Sequence, residues 1–138
     1  MKKFLSTIIV AMMLVMCFTL SACGDKYTSS YSATLMVRTN TANEASVSFD
    51  TFNGTYVMKL KNKGDADTVI AYNVYLEEGN VKVYYDFLGN KVSLFEIGDG
   101  DSMEGKIEAT TSKTIYIIIE SDCICRAGSF SFALEKSE

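Results

Sequence analysis

The sequence predicts an all-β protein: an antiparallel β-sandwich of about eight or nine short strands, following a cleaved signal peptide. Three observations lead there. Beyond the N-terminal apolar run, no segment repeats its apolar residues at the 3.6-residue spacing of a helix. Apolar and polar residues alternate instead. Glycine, asparagine and aspartate interrupt the alternating runs at short intervals, as turns between strands require. Two packed antiparallel sheets fit this pattern better than a closed barrel.

The chain opens with Lys2 and Lys3, then runs from Phe4 to Leu20 without a charge. A basic start and an apolar stretch that ends in small residues have the layout of a secretory signal peptide. The stretch is marginally short for a retained transmembrane helix. Leu20-Ser21-Ala22-Cys23 closes it. This tetrapeptide resembles the lipobox of bacterial lipoproteins: an aliphatic residue, two small residues, then cysteine. The resemblance implies diacylglyceryl transfer to the Cys23 thiol and cleavage between Ala22 and Cys23. Cys17 leaves with the signal. The expected address is the extracytoplasmic face of the cell membrane, held by a diacyl anchor whose two chains suffice for stable attachment.

Removing residues 1–22 from 138 leaves 116, about one ordinary domain. The formal charge of −4 becomes −6 once Lys2 and Lys3 are gone. That balance predicts a domain that stands off an acidic membrane surface and does not bind nucleic acid. Gly24 to Ser32, "GDKYTSSYS", is small and polar. With Cys23 it reads as a lipidated residue and flexible tether over 23–32, reaching about 35 Å when extended. The sandwich domain is expected over 33–138.

Within that domain "SVSFD" puts Val47 and Phe49 on one face, and "TYVMKLK" does the same for Tyr56, Met58 and Leu60. The run "VIAYNVYLEEGNVKVYYDF" reads as a β-hairpin. Ile70, Tyr72, Val74 and Leu76 share one face, and Val81, Val83, Tyr85 and Phe87 share another. A turn at Glu78-Gly79 sets Leu76 opposite Val81 and Tyr72 opposite Tyr85; a turn at Gly79-Asn80 shifts the pairing by two and keeps the faces. Gly89-Asn90 turns the chain again into "KVSLFEI". "TIYIIIE" is apolar on both faces, which suits a central strand covered from both sides. "GSFSFAL" alternates, with Phe130, Phe132 and Leu134 inward and Ser129, Ser131 and Ala133 outward. From about residue 53, this succession of turn glycines and aromatic alternation resembles small β-sandwich lipoproteins of Gram-positive bacteria. It is also similar to sandwich domains appended to secreted peptidases. The resemblance implies a fold and a compartment, with no activity attached.

The chain has no histidine, which removes the Ser-His-Asp triad, the Cys-His dyad and every His-ligated metal site. No carboxylate pair stands out, so the chain is read as non-catalytic, with no cofactor. Three segments still carry chemistry. "GDGDSMEG" gathers Asp99, Asp101 and Glu104, alternate acids that suit a hard cation such as calcium. The plainer reading makes this loop and "KGDADT", with Asp65 and Asp67, solvated turns. "SDCICRAG" separates Cys123 and Cys125 by one residue. In an extended strand those positions lie about 6.6–6.8 Å apart, the outer limit for a disulfide. A strained disulfide, inert packing and a soft-metal or redox dithiol all fit the spacing. Finally, Tyr75 and Tyr84 fall out of phase with the buried rows, beside Asn73, Lys82 and Asp86. Tyrosines among polar neighbours on a sheet face can stack on sugars or seat a protein.

The function expected from these residues is a membrane-anchored, non-catalytic binding module. Its partner would be an envelope protein or a cell-wall glycan. The alternative is an extracytoplasmic thiol-redox or soft-metal protein working through Cys123 and Cys125.

Overall fold

The computed structural model describes residues 26–61, 68–87, 89–108 and 114–136. The signal segment, Cys17, Cys23 and the turn holding Asp65 and Asp67 lie outside them. Eight strands follow in order: β1 (Ser30–Thr34), β2 (Val37–Asn40), β3 (Glu44–Lys61), β4 (Thr68–Glu78), β5 (Val81–Phe87), β6 (Asn90–Ile97), β7 (Asp101–Glu108) and β8 (Thr114–Lys136). All pairings are antiparallel, and the described residues contain no helix.

The strands form one sheet folded over on itself. β3 and β8 pair along nearly their whole lengths, Glu44 against Ala133 at one end and Lys61 against Thr114 at the other. Toward the C-terminal part of β8 they are flanked by β2, β4 and β7; toward its N-terminal part, by β1, β5 and β6. The two halves pack face to face and make the sandwich. Between them lie Phe49, Phe52, Leu60, Ile70, Leu76, Ile97, Ile117, Ile119, Phe130 and Phe132, all buried.

The fold line, called the crease below, crosses every long run of chain at a residue with positive φ. Leu35 (48°) separates β1 from β2, Gly54 (116°) lies within β3, and Gly79 (117°) separates β4 from β5. Gly100 (71°) separates β6 from β7, and Ala127 (48°) lies within β8. At the crease β8 also bulges. Phe52 faces Cys125 while Gly54 faces Ser121, so one β3 residue lies opposite Asp122, Cys123 and Ile124. Extra residues on one strand bend it and raise the local twist, which is how one strand serves two layers. The opposite end, called the base, holds the β2–β3 and β5–β6 turns. There Lys61 N donates to Ala42 O at 2.7 Å and ties the two halves together.

One expected pairing is corrected. β4 and β5 do not form a hairpin with each other. β4 lies between β8 and β7, with Leu76 opposite Gly128 and Asp101; β5 lies between β8 and β6, with Val83 opposite Ile119 and Phe95. The alternation at 70–87 is real, but Gly79-Asn80 carries the chain across the crease instead of reversing it. The reversal is at Gly89, where Phe87 faces Asn90. β8 runs through both layers, so β4 and β5 each pair with it, one on either side of the crease. Gly79 also has to pass close to β8: a Cβ there would meet Cys125 Sγ at 2.6 Å.

The domain also begins earlier than residue 33. β1 starts at Ser30, and Lys26 to Ser29 are held against the sheet by contacts described below.

Candidate functional site

The outer face of the β3–β8–β5–β6 half carries two cross-strand rows, each fixed by register. In the row nearer the crease, Glu96, Lys82, Glu120 and Thr55 stand side by side. In the next row stand Ser93, Tyr84, Ile118 and Val57. Side chains two residues apart share a face, so these positions all point away from the core.

The N-terminal segment lies across the rest of this face as a strap. Val57 N donates to Ser29 Oγ at 2.9 Å, and the Tyr27 ring meets the Tyr116 ring edge-on at 5.3 Å. Lys26 Nζ donates to Asp86 Oδ2 at 2.7 Å and to Gly89 O at 2.8 Å. Gly89 N donates to the other Asp86 oxygen at 2.9 Å. Asp86 is the buried charged residue of the described chain, only 7 % exposed. Burial by itself raises a carboxyl's pKa. The hydrogen bonds from Lys26, Gly89 N and Tyr27 outweigh that and hold Asp86 below its ordinary value. Lys26 is correspondingly raised, first by its hydrogen bond to Asp86. Ile118, in phase with Tyr116 rather than with the core row, is buried on this face. "TIYIIIE" is therefore covered on both sides, one side by the facing half-sheet and the other by the strap.

Where the strap ends, a groove of about 560 Å³ opens. Its floor is Lys82, Glu96, Glu120, Thr55 and Tyr84; its crease-side wall is Gly54, Asn80, Ser121 and Asp122. The Lys91 ammonium lies 4.4 Å above the centre of the Tyr84 ring and pairs with Glu120. The groove thus offers an aromatic ring, an amide, hydroxyls and charges of both signs within one concavity. Such a set of groups can stack against and hydrogen-bond to a small polar molecule.

The other residues singled out in the sequence lie elsewhere. Tyr75 is 43 % exposed, between Ser129 and Ser102 on the outer face of the opposite half. Tyr75 and Tyr84 therefore do not form one surface; the crease between β4 and β5 turns them to opposite sides of the sandwich.

Asp99 Oδ1 accepts from Gly79 N at 2.6 Å, and Asp101 Oδ2 accepts from Gly98 N at 3.0 Å. Both carboxylates cap the turn that leads β6 into β7. Glu104 sits in β7 opposite Asn73. Among the described residues no three acids or cysteines gather as metal ligands. Asp99 and Asp101 thus serve the geometry of the turn, while Glu104 stands apart from them in the strand.

Cys123 and Cys125 lie in and beside the β8 bulge as free thiols, the first exposed and the second buried. Ser121 Oγ is 3.5 Å from Cys123 Sγ and 3.1 Å from Cys125 Sγ, and it donates to Asn80 O at 2.7 Å. Burial raises the Cys125 pKa, against the lowering effect of its bonds to Ser121 and Asn80. A thiol held protonated is a poor nucleophile and a poor metal ligand. The arrangement suits packing at the crease better than redox work.

Sequence reasoning missed the strap and the clasp at Asp86. Two signals were available: Lys26 and Tyr27 inside an otherwise small, polar stretch, and an aspartate three residues before Gly89 at the end of an apolar strand.

No protein-family model matches the chain, and no curated protein matches it. Among solved structures, it is similar to a CBM4 structure at 8% identity and TM-score 0.39, over 78% of each chain. It is similar to a mutant of a family 29 carbohydrate-binding module at 11% identity and TM-score 0.37, covering 80% of this chain and 74% of that one. A third likeness is to TmCBM61 in complex with beta-1,4-galactotriose, at 15% identity and TM-score 0.39, covering 83% of this chain and 86% of that one. Likenesses of this strength bear on neither the ligand nor the site of the present chain.

Proposed function

We propose that this chain is a non-catalytic binding module, anchored in the outer leaflet through a lipid on Cys23, whose groove beside Tyr84 receives a cell-wall glycan. The groove itself carries the reading. It combines one aromatic ring with Asn80, Ser121, Lys82, Glu96 and Glu120 in reach of a single ligand. A sugar ring offers apolar C–H faces and a rim of hydroxyls, and this set of groups matches both.

Titration calorimetry of the chain with soluble wall-glycan fragments tests this. Tyr84→Ala is expected to weaken binding about tenfold, the ~1.4 kcal/mol of one good contact. Tyr75→Ala, on the opposite face, should leave it unchanged. Capture of glycan that depends on Tyr75 and not on Tyr84 would put the site on the wrong side of the sandwich.

A further inference from the structure

The face of the Tyr84 ring is already occupied. Lys91 stands in β6 one row toward the base from Tyr84, and Glu120 stands in β8 one row toward the crease. The Lys91 side chain crosses the ring diagonally between these rows, its ammonium 4.4 Å from the ring centre and paired with Glu120. An aromatic face with a carboxylate beside it is a seat for an ammonium: the ring's quadrupole attracts the charge and the carboxylate accepts an N–H bond. Glu96 and Asp122 add two more carboxylates to the groove's lining, which holds Lys82 against them.

A sugar cannot stack on the ring face that Lys91 covers, so stacking there requires the lysine to leave. Leaving is easy. The Lys91 and Glu120 side chains are each about one-third exposed, and ion pairs open to water are weak. The lysine stem is flexible, and its ammonium is strongly hydrated once in solvent. The consequence falls on Glu120. A neutral sugar takes the ring face but leaves that carboxylate without the Lys91 ammonium. A sugar carrying an ammonium of its own remakes both contacts, and that difference is a basis for selection.

We propose that the groove selects a glycan bearing free ammonium groups, a polymer of hexosamine whose nitrogen is not acetylated, and that one such ammonium replaces Lys91 between the Tyr84 ring and Glu120. This rests on the reading of the groove as a glycan site. Lys91 is then an internal stand-in for the ligand, and Glu120 is the residue that tells an amine from an acetamide or a hydroxyl. Both neutral groups can hydrogen-bond, but neither brings the charge that Glu120 loses when Lys91 swings away.

Titration calorimetry of the full chain in detergent, at pH 5.5 where a sugar amine is protonated, tests this. Three β-1,4-linked tetrasaccharides are compared: of glucosamine, of N-acetylglucosamine and of glucose. The glucosamine tetramer is expected to bind at least tenfold tighter than either of the others. Glu120→Gln should cut that preference below threefold. Lys91→Thr, which clears the ring, should tighten binding of the glucosamine tetramer at least threefold. A preference that survives Glu120→Gln is a general attraction of a polycation to an acidic chain and overturns the proposal. A Lys91→Thr chain that binds the glucosamine tetramer no better than wild type overturns it too. Equal affinity for the three tetramers, lost together in Tyr84→Ala, overturns the ammonium selection and leaves the groove as the glycan site. No binding of any tetramer, or binding indifferent to Tyr84→Ala, overturns the proposal, and takes the groove reading with it if wall-glycan fragments fail in the same way.

Discussion

Lys26 Nζ lies 2.7 Å from Asp86 Oδ2, joining the first described residue to a strand sixty positions later. The same ammonium reaches Gly89 O, and Gly89 N reaches back to the other carboxylate oxygen. Asp86 is thus the hub of a closed network in which the strap, β5 and the β5–β6 turn all take part. Replace the carboxylate by an amide and one acceptor oxygen is left, so either Lys26 Nζ or Gly89 N comes to face an NH2 group that cannot accept.

Asp86→Asn should therefore cost about 1–3 kcal/mol of stability, the penalty for unsatisfying a buried hydrogen-bond network. Thermal unfolding should show it as a loss of several degrees. The pH dependence follows from the two shifts. Asp86 is held below its ordinary value of 3.8, so its contribution is present above about pH 4 and is lost as pH falls through the lower, folded-state value. Lys26 is held above 10.5, so its contribution is present below that pH and is lost only as pH rises past it. Wild type and Asp86→Asn should differ most between about pH 5 and pH 10 and converge in acid. A gap that persists undiminished at pH 2 would mean the carboxylate's charge is irrelevant to the clasp.

The two crease glycines at 79 and 100 separate backbone strain from steric overlap. Both have positive φ. At Gly79 an added Cβ meets Cys125 Sγ at 2.6 Å and Cys125 Cα at 2.9 Å; at Gly100 it meets nothing within 4 Å. Gly100→Ala should cost about 1 kcal/mol, from the left-handed backbone alone. Gly79→Ala adds an overlap that β8 cannot relieve without moving, so about 2–4 kcal/mol is expected. Chemical denaturation of the two variants compares them directly. Equal losses would show that β8 yields at Cys125 and that the close approach is not a constraint.

The strands and their inward faces were legible in the sequence because alternation records which side of each strand is buried. Val47, Phe49, Met58, Leu60, Phe130 and Phe132 are all in the core as their phase requires. Alternation carries no record of the partner, however. The β4–β5 run has the same in-and-out pattern whether it folds back on itself or passes over a crease alongside β8. Gly79-Asn80 supplies the φ either outcome needs. The groove was half-legible for the same reason: Tyr84, Lys82 and Asp86 share a face, but Glu120 and Glu96 join them only through the β8 and β6 registers. The strap was hidden because Lys26, Tyr27 and Ser29 make isolated contacts without any period.

The two cysteines should differ sharply toward alkylating reagents. Cys123 is exposed in the bulge, while Cys125 lies in the core with its pKa raised by burial. Native chain beginning at residue 24, treated with iodoacetamide at pH 8, should take one label, at Cys123. A second label at Cys125 should require denaturant. Peptide mass mapping reads both sites. A working dithiol needs an accessible nucleophilic thiolate and a second sulfur that can reach the mixed disulfide it forms. Rapid double labelling of the native chain would therefore restore the redox reading that the buried Cys125 argues against.

The acidic turn at 98–101 gives the last test, because its two explanations predict different responses to calcium. If Asp99 and Asp101 hold an ion, removing calcium lowers stability and replacing either acid abolishes the effect. In the structure both carboxylates already accept backbone N–H groups, Gly79 for Asp99 and Gly98 for Asp101. The Asp99 bond spans the crease, from the β6–β7 turn to the start of the β4–β5 crossing. Its loss should cost about 1 kcal/mol in Asp99→Ala. Asp99→Asn keeps an acceptor oxygen and should recover most of that, although an asparagine would weaken a calcium site that needs the charge. Melting curves in excess chelator and in millimolar calcium should superimpose for wild type and both variants. A calcium-dependent rise in the wild-type midpoint that Asp99→Asn removes would make the turn an ion site after all.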